Sequence, residues 1–258
     1  MSEYLIQGDT LTGIADAIRE KTGGTLPILA SDMAAEISKI TTGLDSSAED
    51  GLITGMLTEY ENSRVTRIGD RALEYRPKLT SVSFPSVTDI GNFAFCYGTG
   101  LTNVNIPLAK TIRNSAFNTC NKLTDADFPN TTTIGQNAFY MCAQLVNTNF
   151  PSVTTIGATA FAACGKLTKL DFPSVTSIMT SAFSNCSLLE TLIIRSDSVC
   201  TLSNTNALAS TPIAKGTGYI YVPSALVNSY KSATNWSAYA DQIRAIEDYP
   251  DITGGSST

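Results

Sequence analysis

The chain has 258 residues, room for one or two globular domains, and a formal net charge of −6 from 17 Lys and Arg against 23 Asp and Glu. That balance argues against a nucleic-acid partner, because phosphate binding needs a basic stripe. With no His anywhere, Ser–His and Cys–His nucleophile pairs and imidazole metal ligands are excluded, so the expectation is a non-enzyme without cofactor or metal.

Residues 1–43 differ from the rest of the chain. Asp9 or Thr10 can cap a helix carrying Leu11, Ile14, Ala15 and Ile18 on one face, an i, i+3, i+4, i+7 spacing. Gly23 and Gly24 end it. Ser31 or Asp32 then caps a second helix with Met33, Ile37 and Ile40 inward. Two short helices bury too little surface to fold alone. Leu11, Ile14, Ile18, Met33 and Ile37 are therefore candidate docking residues of a small helical module; a cap over the first coil of a repeat array is the alternative. MSEYLIQGDT lacks the basic and apolar regions of a secretory signal. No apolar run approaches the ~20 residues of a membrane span. The expectation is a soluble protein without membrane insertion. Residues 44–51 are small, polar and acidic, and read as a linker.

The stretch 79–188 is one 22-residue phrase written five times without insertion, from LTSVSFPSVTDIGNFAFCYGTG to LTKLDFPSVTSIMTSAFSNCSL. A fixed period of this size marks a solenoid, in which each unit buries its apolar side only against its neighbours. Leu79, Val82 and Phe84 make a short strand whose alternation turns Val82 and Phe84 to one side. Pro85 cannot donate to a ladder and ends it. Val87 and Ile90 point inward at the turn, and Ala94-Phe95 opens a short helical or 3-10 segment on the outer side. The expected core ladders are Leu79/101/123/145/167/189, Ile90/112/134/156/178 and Phe95/117/139/161/183. A degenerate coil precedes them, with Ile68 aligned on Ile90 and Ala72-Leu73 on Ala94-Phe95. A decayed one comes after them, in which Ile194-Arg195 replaces Phe-Pro and NALASTPI is out of register. Stacked strands sit ~4.8 Å apart, so about six or seven coils give a rod roughly 30 Å long. Residues 52–214 are the expected repeat array, 215–250 a cap built from a strand and amphipathic helical pieces, and 251–258 a flexible tail.

Cys120, Cys142, Cys164 and Cys186 recur once per repeat, while Cys96 and Cys200 are out of register. The pattern is neither CxxC nor that of a secreted disulfide scaffold. A ladder of buried thiols packing like small apolar residues, disulfides between rungs, and a bridged metal are the readings open to it.

The phrase L-x-x-V-x-F-P…I-G-x-x-A-F-x-x-C resembles the leucine-rich repeats of the BspA type, found in bacterial and protozoan surface proteins, over about residues 52–195. The usual Asn or Cys on the turn after the strand is missing; Val87, Ala109, Thr131, Val153 and Val175 stand there. The resemblance implies an α+β repeat: a leucine-rich-repeat-like right-handed solenoid with a parallel β-sheet face, a small helical N-terminal module and an α-helical C-terminal cap. The phrase DTLTGIADAIREKTGGTLPILASDMAAEI is similar to segments of tail and other virion proteins of phages and prophages of Gram-positive gut bacteria. That similarity implies a virion location without a signal peptide, and other virion proteins as partners of the N-terminal module.

In leucine-rich proteins partners usually bind the sheet face. Its outward positions here are Ser81, Ser83, Asn103, Asn105, Asp125, Asp127, Asn147, Asn149, Lys169 and Asp171. Rows of Asn and Asp at sheet spacing can hydrogen-bond sugar hydroxyls, so a host surface protein or glycan is the expected target; solvated residues that keep the sheet soluble are the alternative. Asp125 and Asp127 as a Ca²⁺ pair or as glycosidase carboxylates lack a supporting loop or cleft. Tyr97 and Tyr140 are candidate aromatic contacts on the outer coil. Two functions are carried forward: a phage virion structural protein presenting the solenoid for adhesion, and a bacterial cell-surface or secreted adhesin. A homo-oligomer is compatible with both.

Overall fold

A computed structural model describes Tyr4–Leu5 and residues 58–253. The helices expected over residues 1–43, with Leu11, Ile14, Ile18, Met33 and Ile37, and the linker at 44–51 lie outside the described residues, apart from the two-residue strand β1 (Tyr4–Leu5).

Each regular coil contributes two short strands, one on either side of its Phe-Pro-type corner. The first set comprises β2 (Glu59–Glu61), β4 (Ser81–Ser83), β6 (Asn103–Asn105), β8 (Asp125–Asp127), β10 (Asn147–Asn149), β12 (Lys169–Phe172), β14 (Thr191–Ile194), β16 (Tyr219–Val222) and β17 (Ile243–Ala245). The second comprises β3 (Arg67–Ile68), β5 (Asp89–Ile90), β7 (Thr111–Ile112), β9 (Thr133–Ile134), β11 (Thr155–Ile156), β13 (Ser177–Ile178) and β15 (Thr201–Leu202). All pairings are parallel. The second set forms one eight-stranded sheet with β1 at its edge, and Ile90, Ile112 and Ile134 lie opposite one another in register. The first set pairs in three blocks, β2-β4-β6, β8-β10 and β12-β14-β16-β17. The 22-residue period of the sequence is thus the register of the sheets.

The coils meet around a continuous apolar interior. Phe95, Phe117, Phe139, Phe161 and Phe183 stack ring on ring, with centroids 4.9, 5.2, 5.2 and 6.0 Å apart. The strand phenylalanines meet them at an angle, as Phe150 does Phe139 at 5.8 Å and 63°. Offset parallel stacking within a ladder and edge contact between ladders are both favoured by the ring quadrupole. The expected Leu and Ile ladders are buried throughout. Past Phe183 the row continues in Leu208: the Phe183 amide donates to the Ala207 carbonyl, as the Phe161 amide donates to that of Ala182. Three extra residues before Ala207 account for the stretch that is out of register in the sequence.

The outer wall is not helical. A helix returns each amide to its own chain, but here alternate amides leave for the next coil. Phe93, Phe95 and Tyr97 donate to the carbonyls of Asn114, Ala116 and Asn118 at 2.9, 2.7 and 2.8 Å, and the same three positions repeat this from coil to coil. The intervening amides close tight turns, Ala94 to Gly91 and Gly98 to Phe95. That geometry forces two left-handed residues into each coil: Phe93 and Tyr97 (φ 56° and 58°), Ser115 and Thr119 (56° and 60°), Asn137 and Met141 (55° and 58°), Thr159 and Ala163 (54° and 61°). Asn is at ease in this region; the β-branched Thr is not.

Helix is scarce at the far end too. The expected α-helical cap reduces to α1 (Val227–Ser232) and 3-10 turns, and the described part of the expected flexible tail lies in a four-residue helix, α2 (Pro250–Thr253). Side chains there replace the backbone of a next coil. Thr176 and Ile178 carbonyls accept from the Thr201 and Ser203 amides. One coil further on, the Cys200 carbonyl accepts from Trp236 Nε1 at 2.6 Å, the Leu202 carbonyl from Asn235 Nδ2 at 2.7 Å, and the Cys200 amide donates to the Tyr230 hydroxyl at 2.8 Å. An edge left open would orphan these groups.

Phe139→Ala opens a void in the middle of the ring stack and should lower unfolding free energy by about 3–5 kcal/mol, read from denaturant midpoints. Thr119→Asn keeps the left-handed turn with a residue suited to it, and should raise stability by about 0.5–1 kcal/mol in the same assay.

The ladder face and the thiol ladder as candidate sites

Alternation along the first-set strands sends their middle residues inward and leaves two rows outside. One row is Glu59, Ser81 and Asn103, then Asp125 and Asn147, then Lys169, Thr191 and Tyr219; the other is Glu61, Ser83 and Asn105, then Asp127 and Asn149, then Asp171, Ile193 and Tyr221. The structure therefore brings all ten candidate residues to one face. Glu59 and Glu61, 22 residues before Ser81 and Ser83, escape a reading of the repeated phrase because the first coil departs from it; the period alone locates them.

The rows bond to one another along the stack. Asn147 Nδ2 donates to Asp125 Oδ1 at 2.6 Å, Asn149 Nδ2 to Asp127 Oδ1 at 2.7 Å, and Asn105 Nδ2 to Ser83 Oγ at 3.1 Å. Hydrogen bonds from the Thr124 hydroxyl and the Asn147 amide hold the Asp125 carboxyl below its ordinary 3.8. A depressed carboxyl stabilises the fold above that value and loses the contribution as pH falls through and below it, so this face stays anionic at neutral pH. Each Asn uses one amide hydrogen on its neighbour and keeps further donor and acceptor positions for solvent or a ligand. Lys169 and Asp171 stand apart: Lys169 Nζ donates to the Ile252 carbonyl at 2.7 Å, and Asp171 is forked by Arg195 at 2.9 and 2.7 Å. Those two are engaged by the chain itself.

Tyr97 lies on the turn wall, stacked on Tyr75 at 4.7 Å with both rings exposed, and Tyr140 is half-buried. Neither shares the ladder face. Among the described residues no group of three or more His, Cys, Asp or Glu could hold a metal ion, and no helix is long and apolar enough to cross a membrane.

All six Cys are buried and free. The periodic four do more than pack. Each thiol donates to a carbonyl of the coil before: Cys120 to Phe95 and Cys142 to Phe117 at 3.2 Å, Cys164 to Phe139 at 3.1 Å, Cys186 to Phe161 at 3.0 Å. Burial pushes Cys186 and Cys200 up to about 12 and Cys96 to about 11, and Cys142 and Cys164 well above the ordinary thiol value. A thiol that cannot ionise is neither nucleophile nor metal ligand. At pH 8 the folded protein should leave Ellman's reagent nearly colourless, and denaturant should release all six thiols.

The family model described as "BspA type Leucine rich repeat region" matches residues 66–190 and 110–226, with six copies. The chain belongs to the BspA-type leucine-rich repeat family. Solved structures similar to it include a leucine rich cell surface protein from Faecalibacterium prausnitzii A2-165, at 22% identity over 64% of this chain and 60% of that one, with a TM-score of 0.43. A leucine-rich repeat protein from Bacteroides ovatus ATCC 8483 is 24% identical over 65% of this chain and 52% of that one, at 0.48. The T. pallidum Leucine Rich Repeat protein is 26% identical over 64% and 75%, at 0.48. The chain thus spans about three-fifths and about half of the first two. No curated protein matches it.

Proposed function

We propose that this protein works by adhesion: the stacked coils form a stiff platform, and the ladder face from Ser81 to Asn149 takes a surface protein or glycan without chemical change to it. The observation that carries this reading is the pair of outward rows, in which amide and carboxylate groups repeat at strand spacing and are held in place by each other. Preorganised polar groups lose little freedom on meeting a ligand. The absence of His and of any nucleophile pattern supports contact over catalysis, and membership of the BspA-type family supports a surface role.

Two observations bear on location. The family match supports a bacterial surface. The N-terminal phrase, which precedes the matched residues, supports attachment to a phage particle, with Leu11, Ile14, Ile18, Met33 and Ile37 facing other virion proteins. Mass spectrometry of purified particles and of washed cells from the source separates them: the particle reading expects the protein in virions, and its absence there overturns that reading.

The adhesion reading is tested by Asp125→Arg/Asp127→Arg. The purified full chain and this variant are applied to a glycan array and to intact bacterial cells. Charge reversal should weaken retention at least tenfold with the circular dichroism spectrum and melting temperature kept. Unchanged retention removes the ladder face as the contact surface.

A further inference from the structure

One end of the ladder face is built unlike the rest. Ile193 stands in register with Asp171 and Tyr221, an outward position held by Ser, Asn or Asp in the five preceding coils. Yet Ile193 is 0% and Tyr221 2% exposed, and neither belongs to the interior core. The chain itself covers them. After β17, residues 246–253 turn back over the outer side of the sheet. Tyr249 meets Tyr221 edge-on at 5.3 Å, and the Ile252 carbonyl reaches Lys169 Nζ at 2.7 Å. From β17 back to β12 is about three strand spacings, or ~14 Å. The crossing segment reads IEDYPDIT, acidic with one aromatic residue. It passes between two cations, Lys169 at one end and Arg244, 4.7 Å over the Tyr219 ring, at the other. Ile252 remains exposed, and α2 is four residues long.

We propose that this end of the face is a peptide-binding surface for an acidic, tyrosine-bearing protein segment, occupied in cis by residues 247–253 as a displaceable strap. The apolar floor of Ile193 and Tyr221, the cationic flanks and the chemistry of the present occupant agree on that class of partner. The inference rests on the contact reading of the ladder face and adds to it a second, apolar subsite. Binding of a competing segment lifts the strap and uncovers Lys169, which lengthens the open face by one coil.

The probe is a fluorescein-labelled peptide of residues 246–253, titrated into the full chain and into full-chain Tyr249→Ser. The variant, whose strap has lost its aromatic anchor, should bind at least tenfold more tightly than the unaltered protein. Adding Ile193→Asp should abolish that binding. A second measurement needs no variant: excess unlabelled peptide should speed hydrogen exchange at the amides of Ile246, Tyr249 and Ile252 in the unaltered protein. Binding to Tyr249→Ser no tighter than to the unaltered protein, with exchange unchanged by peptide, overturns the proposal. A concentration-dependent dimer of Tyr249→Ser in place of peptide capture also overturns it and assigns the surface to a second copy. Asp125→Arg/Asp127→Arg should bind the peptide as the unaltered protein does, so failure of the strap and failure of the adhesion reading are read separately.

Discussion

Everything in this molecule depends on hydrogen bonds that leave one coil and end on the next. A coil of 22 residues has no helix in which to satisfy its own amides, so each must find its partner one period away. Ladders run along the stack on the two strand walls and on the turn wall. Because pairing is strictly between neighbours, coil length cannot drift: one extra residue in one coil would move its amides off the carbonyls of both sides. The three-residue lag before Ala207 is placed where the strands on either side keep their pairing, and there Leu208 still reaches the end of the phenylalanine stack.

The same constraint explains the strained backbone. Alternate amides can face the next coil only if the chain turns twice into the left-handed region, and it does so at Phe, Tyr, Ser, Thr, Met and Ala as readily as at Asn. A residue there costs of order 1 kcal/mol or more, and the regular hydrogen bonds of the turn wall offset it. The thiols belong to this scheme. A carbonyl such as Phe117's accepts both an amide of its own turn and the Cys142 thiol, which explains why the position holds Cys and not merely a small apolar residue.

Much of this is legible in the sequence, and the limits have physical causes. Periodicity gives the strands, the inward Leu, Ile and Phe rows and the ten outward residues, because side-chain alternation comes directly from the repeat. The outer wall reads as helical and is not: Ala-Phe beside small polar residues suits a helix by propensity, and propensity is blind to amides that pair 22 residues away. The cap misleads for a related reason, since Trp236, Tyr230 and Asn235 resemble an amphipathic pattern but act through their polar atoms on Cys200 and Leu202. At the site, the shift of the outward row from Asp171 to Ile193 is visible in the sequence as the loss of Phe-Pro. That the chain itself covers it is not, because nothing in residues 246–253 announces which surface they cross.

The side chains that close the far edge meet groups every coil possesses. Trp236 and Asn235 contact only carbonyls that any regular unit would offer at the same place. This closing edge is therefore indifferent to how many units precede it. Gene-level duplication or loss of whole copies can change the reach of such a protein while leaving its termination intact, which makes length the trait most easily varied in this architecture.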